Sequence, residues 1–582
     1  MTAAAAALRR RLVVALPRVD AGFLIMAAVV LVVAYLVLIP LGLLVYSSIS
    51  SQPPGRLGPL TLENFQRALT GPLSGSVIAN TAYYAAGTTL VSFSVGAGLA
   101  WLVVRTNVPL KGLFFTLGLV PLLIPGILHS IGWIFLLSPR IGLINRAIMD
   151  LFGLAEAPFN VYSIPGMIWV ESLSLIPVIF LLLFGALQSM DPALEESATM
   201  SGSSTFTTLR RITLPLMLPA TFAALLITCV RALESFEVPL LLGIPDRIYV
   251  FTSVIFTAVR RYPSDFGLGG AFAVLLLILT SVGIWFYGRI TARGERFSTV
   301  TGRGFRPGTI NLGRWRFLAA ALFLAYFVVS AGLPVLVLLW ASLLPYYQAP
   351  SFDALSQLTL QNFVEVLQYP NVYIALRNTL FLAVVAPVVV LGLTSIVAWI
   401  VVKTKLPGRR VLDALAFTPI VFPGLILAVG LIWVYLILPL PVSIYGTIWI
   451  LLIAKVTRFM PYGIRACSAS LIQIHKELEE ASTTSGASWL ETFRRVTLPL
   501  LRPTLLAAGI YIAILSIREF STPVLLYSNE SRVLSIIIWE LWDDGVITQL
   551  AALAMLMIGG LGILVFALQR LGGRLGARLG GA

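Results

Sequence analysis

Two Cys, two His and five Lys are all that 582 residues contain of those types, and only 11% of the chain is charged. So few Cys and His exclude a disulfide framework and any His/Cys metal cluster of ordinary size. Cys229 and Cys467 lie in apolar stretches and read as packing residues. None of the five Lys follows a Gly, so the chain has no G-K-[ST] phosphate loop and no ATP site of that kind. A water-soluble fold carries about 25% charged residues. With less than half of that and 58% hydrophobic residues, a soluble globular protein is excluded, and so is disorder, which has the opposite composition. The net charge of +15 would suggest nucleic acid in a soluble chain, so the placement of those charges has to be read first.

Uncharged apolar runs recur along the chain, and a helix needs roughly 20 residues to cross a bilayer. Segments 21–46, 77–104, 112–139, 266–288, 317–345, 378–402 and 546–568 pass without an ionisable acid or base, and 163–187 passes with Glu171 alone. Segment 414–454 is too long for one span and is split at Pro439-Leu440-Pro441, and the shorter 212–230 and 497–517 complete a set of about twelve. The first run is too long for a removable signal peptide and lacks its cleavage site. The expected fold class is therefore an all-α polytopic membrane protein. Most of the 40 Lys and Arg fall in alternate connections, including Arg9–Arg11, Arg105, Arg210-Arg211, the run from Arg289 to Arg316, Arg494-Arg495 and Arg570–Arg578. The positive-inside rule then places both termini in the cytoplasm, so the charge excess reports topology beside a lipid bilayer, not nucleic acid.

The chain also repeats itself. "LTLENFQRAL" at 60–69 matches "LTLQNFVEVL" at 358–367, Asn80-Thr81 matches Asn378-Thr379, and 194–220 matches 478–504. This is a head-to-tail duplication of a six-span unit, and an even number of spans gives the halves one orientation. The expected division is a first unit at 1–290, a Gly/Arg-rich cytoplasmic linker at 291–316 and a second unit at 317–582. Cytoplasmic loops at 191–215 and 475–499 interrupt the two units.

Those loops carry the strongest local signal. Asp191-Pro192 suits a helix start, Glu195 and Glu196 fall in its first turns, where the helix dipole favours acids, and Gly202 ends it. Arg210, Arg211 and Pro215 follow at the membrane boundary; the second copy offers Glu479, Glu480, Gly486, Arg494, Arg495 and Pro499 at the same spacing. Lipid contact demands no such shared register. Here the chain resembles the permeases of binding-protein-dependent ABC importers, whose cytoplasmic pattern is E-A-A-x₃-G-x₉-I-x-L-P. The copies read Glu196-Ser197-Ala198…Gly202…Ile212-Thr213-Leu214-Pro215 and Glu480-Ala481-Ser482…Gly486…Val496-Thr497-Leu498-Pro499. Each replaces one Ala by Ser, and the second replaces Ile by Val.

The resemblance covers nearly the whole chain. It implies the type I importer fold in a multi-pass protein of the bacterial cytoplasmic (inner) membrane. It also implies two coupling helices that dock on two ABC ATPase subunits on the cytoplasmic side, ATP and Mg bound by those partners, and a periplasmic or lipid-anchored substrate-binding protein. The chain itself would be no enzyme, with no catalytic residue, metal site or cofactor. Ionisable groups in spans are functional candidates: Arg231, Glu234 and Glu237, spaced by three as on one helix face, and Arg518 and Glu519 at the matching site. They could be interfacial ion pairs or a gate. Asn80 and Asn378 could line the pore or pair helices. The fused layout and the core "SGAS…FRRVTLPLLRP" are most similar to ferric-iron importers, with thiamine and phosphonate importers sharing the layout. An ion-coupled secondary transporter is the alternative from another class.

Overall fold

A computed structural model describes residues 21–56, 58–190, 193–294, 310–406, 408–438 and 443–579. The helix start expected at Asp191-Pro192, the turn at Pro439–Pro441, the N-terminal arginines and most of the 291–316 linker lie outside those residues. Among the described residues the structure is helical, with two isolated bridges and no named strand. Nine helices among the described residues are long and apolar enough to span a membrane, from Leu24–Ile49 to Ile547–Ala567. Three further helix pairs pass the same test together but are sharply bent, which gives twelve spans if each pair is one.

Sharp bends interrupt two of the expected spans. Lys111–Leu123 meets Gly126–Leu137 at 95°, and Arg409–Val421 meets Gly424–Ile437 at 111°. Each break precedes a Pro-Gly pair, Pro125-Gly126 and Pro423-Gly424. Proline drives the residue before it out of the helical region, and Ile124 is extended at ψ 123 with Pro125 at ψ 140. The third pair, Pro239–Asp246 and Phe251–Arg260 at 79°, falls where an external loop was expected.

The described residues form two compact units. One comprises the described parts of 1–39, 386–420 and 456–512. Within it Trp399 packs against Trp489 at 4.9 Å, and Lys403 Nζ donates to the Ile474 carbonyl at 2.7 Å. A cavity of about 540 Å³ is lined by Phe417, Tyr462, Arg465, Pro503 and Tyr511, with the Arg465 guanidinium 4.1 Å over the Phe417 ring.

The other unit comprises 40–385, 421–455 and 513–582. Here Ser74–Arg105 lies along Ile164–Ser189 so closely that a Cβ on Gly96 would fall 2.8 Å from Ile179. Packing that depends on small residues is what apolar solvent leaves to hold helices together. Leu90, Val384 and Ile563 stay exposed on their helices, a distribution that suits lipid and not water.

Candidate functional site: paired loops and a buried cluster

Each loop is a short helix, a left-handed glycine and a second helix that runs into a span. The first helix is Ala193–Met200 in one copy and Lys476–Thr484 in the other. Gly202 and Gly486 have φ +82 and +86, a conformation that costs glycine nothing. The amides of Ser203 and Ala487 return to the carbonyls of Ala198 and Ser482, closing the same C-terminal cap in each copy. In both copies a single π turn, Leu209–Thr213 and Phe493–Thr497, joins the loop to the spans Leu214–Glu234 and Leu498–Arg518.

The two acids of each loop divide their roles. Glu195 Oε1 accepts from Thr213 Oγ1 at 2.6 Å, and Glu479 Oε1 accepts from Thr497 Oγ1 at 3.0 Å, each pair 18 residues apart. Both threonines are buried, so this bond ties the loop helix to the root of the following span. Glu196, Glu480, Gly202, Gly486 and the four arginines Arg210, Arg211, Arg494 and Arg495 remain exposed, as does Pro215, with Pro499 half-buried. Sequence reading missed the threonines, although their recurrence in I-T-L-P and V-T-L-P marked them. It also missed Arg105, whose buried Nε lies 3.4 Å from Glu195 Oε2.

At the far end of Leu214–Glu234 the structure corrects one expectation. The helix stops at Glu234, and Ser235 and Phe236 are non-helical before a new turn begins at Glu237. Arg231 and Glu234 do pair, at 3.4 Å, but Glu237 does not share their helix face. It lies instead beside Gly126, where an added Cβ would stand 3.5 Å from its carboxyl carbon. Arg518 Nη2 donates to the Ile124 carbonyl at 3.1 Å, at the bend before Pro125.

Glu519 is paired with Lys455. Nζ lies 3.0 Å from Glu519 Oε2 and 2.8 Å from the Ser516 carbonyl, and the two side chains are only 2% and 5% exposed. Thr522 Oγ1 donates to the other carboxylate oxygen. The first half has the same two positions, 64 residues apart, with the acid moved across: Glu171 accepts from Ser235 Oγ at 2.7 Å, and Ser235 accepts from Tyr84 Oη at 3.0 Å. Next to these pairs Phe236 and Phe520 stack at 5.8 Å and 12°. Phe256 and Trp539 close the cluster, 6.3 Å from each other.

The two asparagines hold backbone. Asn80 Nδ2 donates to the Tyr249 carbonyl at 3.2 Å, and Asn378 Nδ2 donates to those of Glu530 and Arg532 at 2.8 and 2.9 Å. His129 is a packed polar residue, with Nε2 3.0 Å from the Ser330 carbonyl and Nδ1 3.1 Å from Ser174 Oγ. Among the described residues no three His, Cys, Asp or Glu are placed to hold a metal.

Known proteins bear on this arrangement. The sequence profile described as "binding-protein-dependent transport system inner membrane component" matches twice, at residues 92–293 and 389–574. The ferric transport system permease protein FbpB of Actinobacillus pleuropneumoniae is 25% identical over 458 residues, 77% of this chain and 64% of that relative, so the chain spans less than two thirds of its length. The Fe(3+)-transport system permease protein FbpB 2 of Haemophilus influenzae is 24% identical over 504 residues, 86% of this chain and 90% of that protein. The sulfate transport system permease protein CysT of Salmonella typhimurium is 29% identical over 268 residues, 44% of this chain and 95% of its own length. Two profile matches in tandem, over helices of spanning length and loops of equal register, identify the molecule: the chain belongs to the family of binding-protein-dependent transport system inner membrane components.

Proposed function

We propose that this importer permease forms the pathway for ferric iron, delivered by an external periplasmic or lipid-anchored binding protein and driven by two ATPase subunits on the cytoplasmic side. ATP and Mg belong to those subunits. Residues 1–290 and 317–582 act as the two permease units, joined by the 291–316 linker, with both termini cytoplasmic. The observation that carries the mechanism is the Glu–Thr bond found at equal register in both loops. A rigid short helix tied to the root of a span passes a subunit movement into that span, and two copies suit a two-fold ATPase dimer. Exposed Glu196, Glu480 and the four arginines are the groups left to meet the ATPases.

Closure of the ATPase dimer draws the coupling helices together, swings the spans that begin at Leu214 and Leu498, and parts the aromatic cluster at the outer end. Hydrolysis resets it. The substrate reading is supported by relatives named for ferric transport over most of this chain, and by carboxylates at the outer end, which are hard donors suited to a hard cation. On this mechanism Glu237, Glu519, Arg231, Glu234 and Arg518 shape the outer end of the pathway, while Asn80 and Asn378 fix its loops.

The test is uptake of radiolabelled ferric ion into proteoliposomes holding permease and ATPases, with ATP inside and loaded binding protein outside. Accumulation that needs both ATP and binding protein is expected. Accumulation of sulfate, thiamine or a phosphonate, and not of iron, would overturn the substrate. Changing Phe236 and Phe520 together to Ala should raise ATP hydrolysed per ion imported at least several-fold, because a seal of two stacked rings is removed. An unchanged ratio would exclude the aromatic cluster as the seal.

A further inference from the structure

The helices Phe251–Arg260 and Leu534–Asp543 are counterparts in the two halves. Each has ten residues, each is entered from an extended valine, and each is hung by the same bonds. Thr81 Oγ1 accepts from the Phe251 amide at 3.2 Å, and Thr379 Oγ1 accepts from the Leu534 amide at 2.9 Å. Thr252 Oγ1 donates to the Ser235 carbonyl, and Ser535 Oγ donates to that of Glu519. Yet one helix ends in Arg260-Arg261 and the other in Asp543-Asp544, four exposed residues at the end of the bundle away from the Glu195 loop. A helix C-terminus favours the arginines and disfavours the aspartates, so local stability does not account for the second pair.

The opposite charges are not joined in an ion pair. Among the described residues neither aspartate is in an ion pair, although Arg260, Asp543 and Asp544 line one cavity of about 320 Å³. Arg260 lies instead over Tyr527 and Trp539, 5.2 and 5.7 Å from their ring centres, and donates to Tyr527 Oη at 2.8 Å. Tyr262, the next residue after Arg261, is 99% exposed. Arginine and tyrosine at a protein surface are the residue types that anchor partner proteins.

We infer that this charge-inverted pair of helix ends fixes the direction in which the external binding protein docks, an inference that rests on the importer reading above. A duplicated permease offers a partner two near-equivalent orientations, half a turn apart. Opposite charges at equivalent places admit one and repel the other. The binding protein should carry acidic groups over Arg260-Arg261 and basic groups over Asp543-Asp544.

The test uses permease and ATPases in lipid nanodiscs, with the purified binding protein that supports uptake in cells as the probe. Wild type should bind it with an affinity that falls as salt rises. The variants R260E/R261E and D543K/D544K should each bind at least 10-fold more weakly, the milder R261Q and D544N by less, and reversal of the facing acids on the binding protein should rescue R260E/R261E. Co-elution of each variant with the ATPases checks assembly. Equal binding by wild type and by all four variants would overturn the docking polarity while leaving the importer reading intact. If the wild-type complex binds no external protein in any salt, the importer reading fails and the inference falls with it.

Discussion

Replacing Lys455 by methionine should destabilise the folded protein by about 3–5 kcal/mol, the usual cost of breaking a buried ion pair and leaving one charge behind. Lys455 and Glu519 are nearly inaccessible, and the ammonium also satisfies the Ser516 carbonyl, so its loss strands a carboxylate and a carbonyl together. The measurement is unfolding of purified protein in detergent or nanodiscs. The first half of the chain supplies the informative second variant. There the same two positions hold Glu171 and Ser235 in a 2.7 Å hydrogen bond, with no cation paired to Glu171 among the described residues. The exchange K455E/E519S transplants that pair, keeps one acid in the site and gives it a donor, and should recover at least half of the loss. If K455M is as stable as wild type, the ion pair contributes nothing. If K455E/E519S is no better than K455M, the two halves do not solve one packing problem in two ways.

The second large effect concerns the loops. Leucine at both Gly202 and Gly486 should abolish transport while the protein still inserts and folds. Each glycine has a positive φ, and a side chain there costs about 1–2 kcal/mol per site. Nothing lies within 4 Å of a Cβ added at either position, so the strain is confined to the backbone and the new side chain points into the open space proposed above as the ATPase docking site. Asparagine tolerates left-handed backbone and separates the two causes. If the turn alone matters, G202N/G486N should retain most uptake; if the docking volume matters, it should fail as leucine does. Uptake at the wild-type rate in the leucine variant would remove these loops from coupling.

Much of this was legible in the sequence. Long uncharged runs announced the spans because lipid tolerates no unpaired charge, and the equal register of the two loops announced the short helix and left-handed glycine that the structure repeats in each. The bends at Ile124 and Phe422 were hidden, since an apolar run looks the same straight or broken. The repeated Pro-Gly pair was their only trace. Glu237 was placed on the helix of Arg231 because spacing by three implies a shared face only while the helix continues, and this one stops at Glu234. Lys455 found its partner 64 residues away, a pairing no local pattern encodes. The asparagine pair was visible as a repeat, but the backbone carbonyls it holds were not.

The π turns at Leu209–Thr213 and Phe493–Thr497 insert one extra residue where each loop becomes a span. One residue is about 100° of helical rotation. Counting faces along Leu214–Glu234 from the loop motif with an α-helical period therefore points every side chain about a quarter of a turn away from where it lies. Both spans carry the same offset, so the two halves stay in phase with each other while each runs out of phase with its own loop.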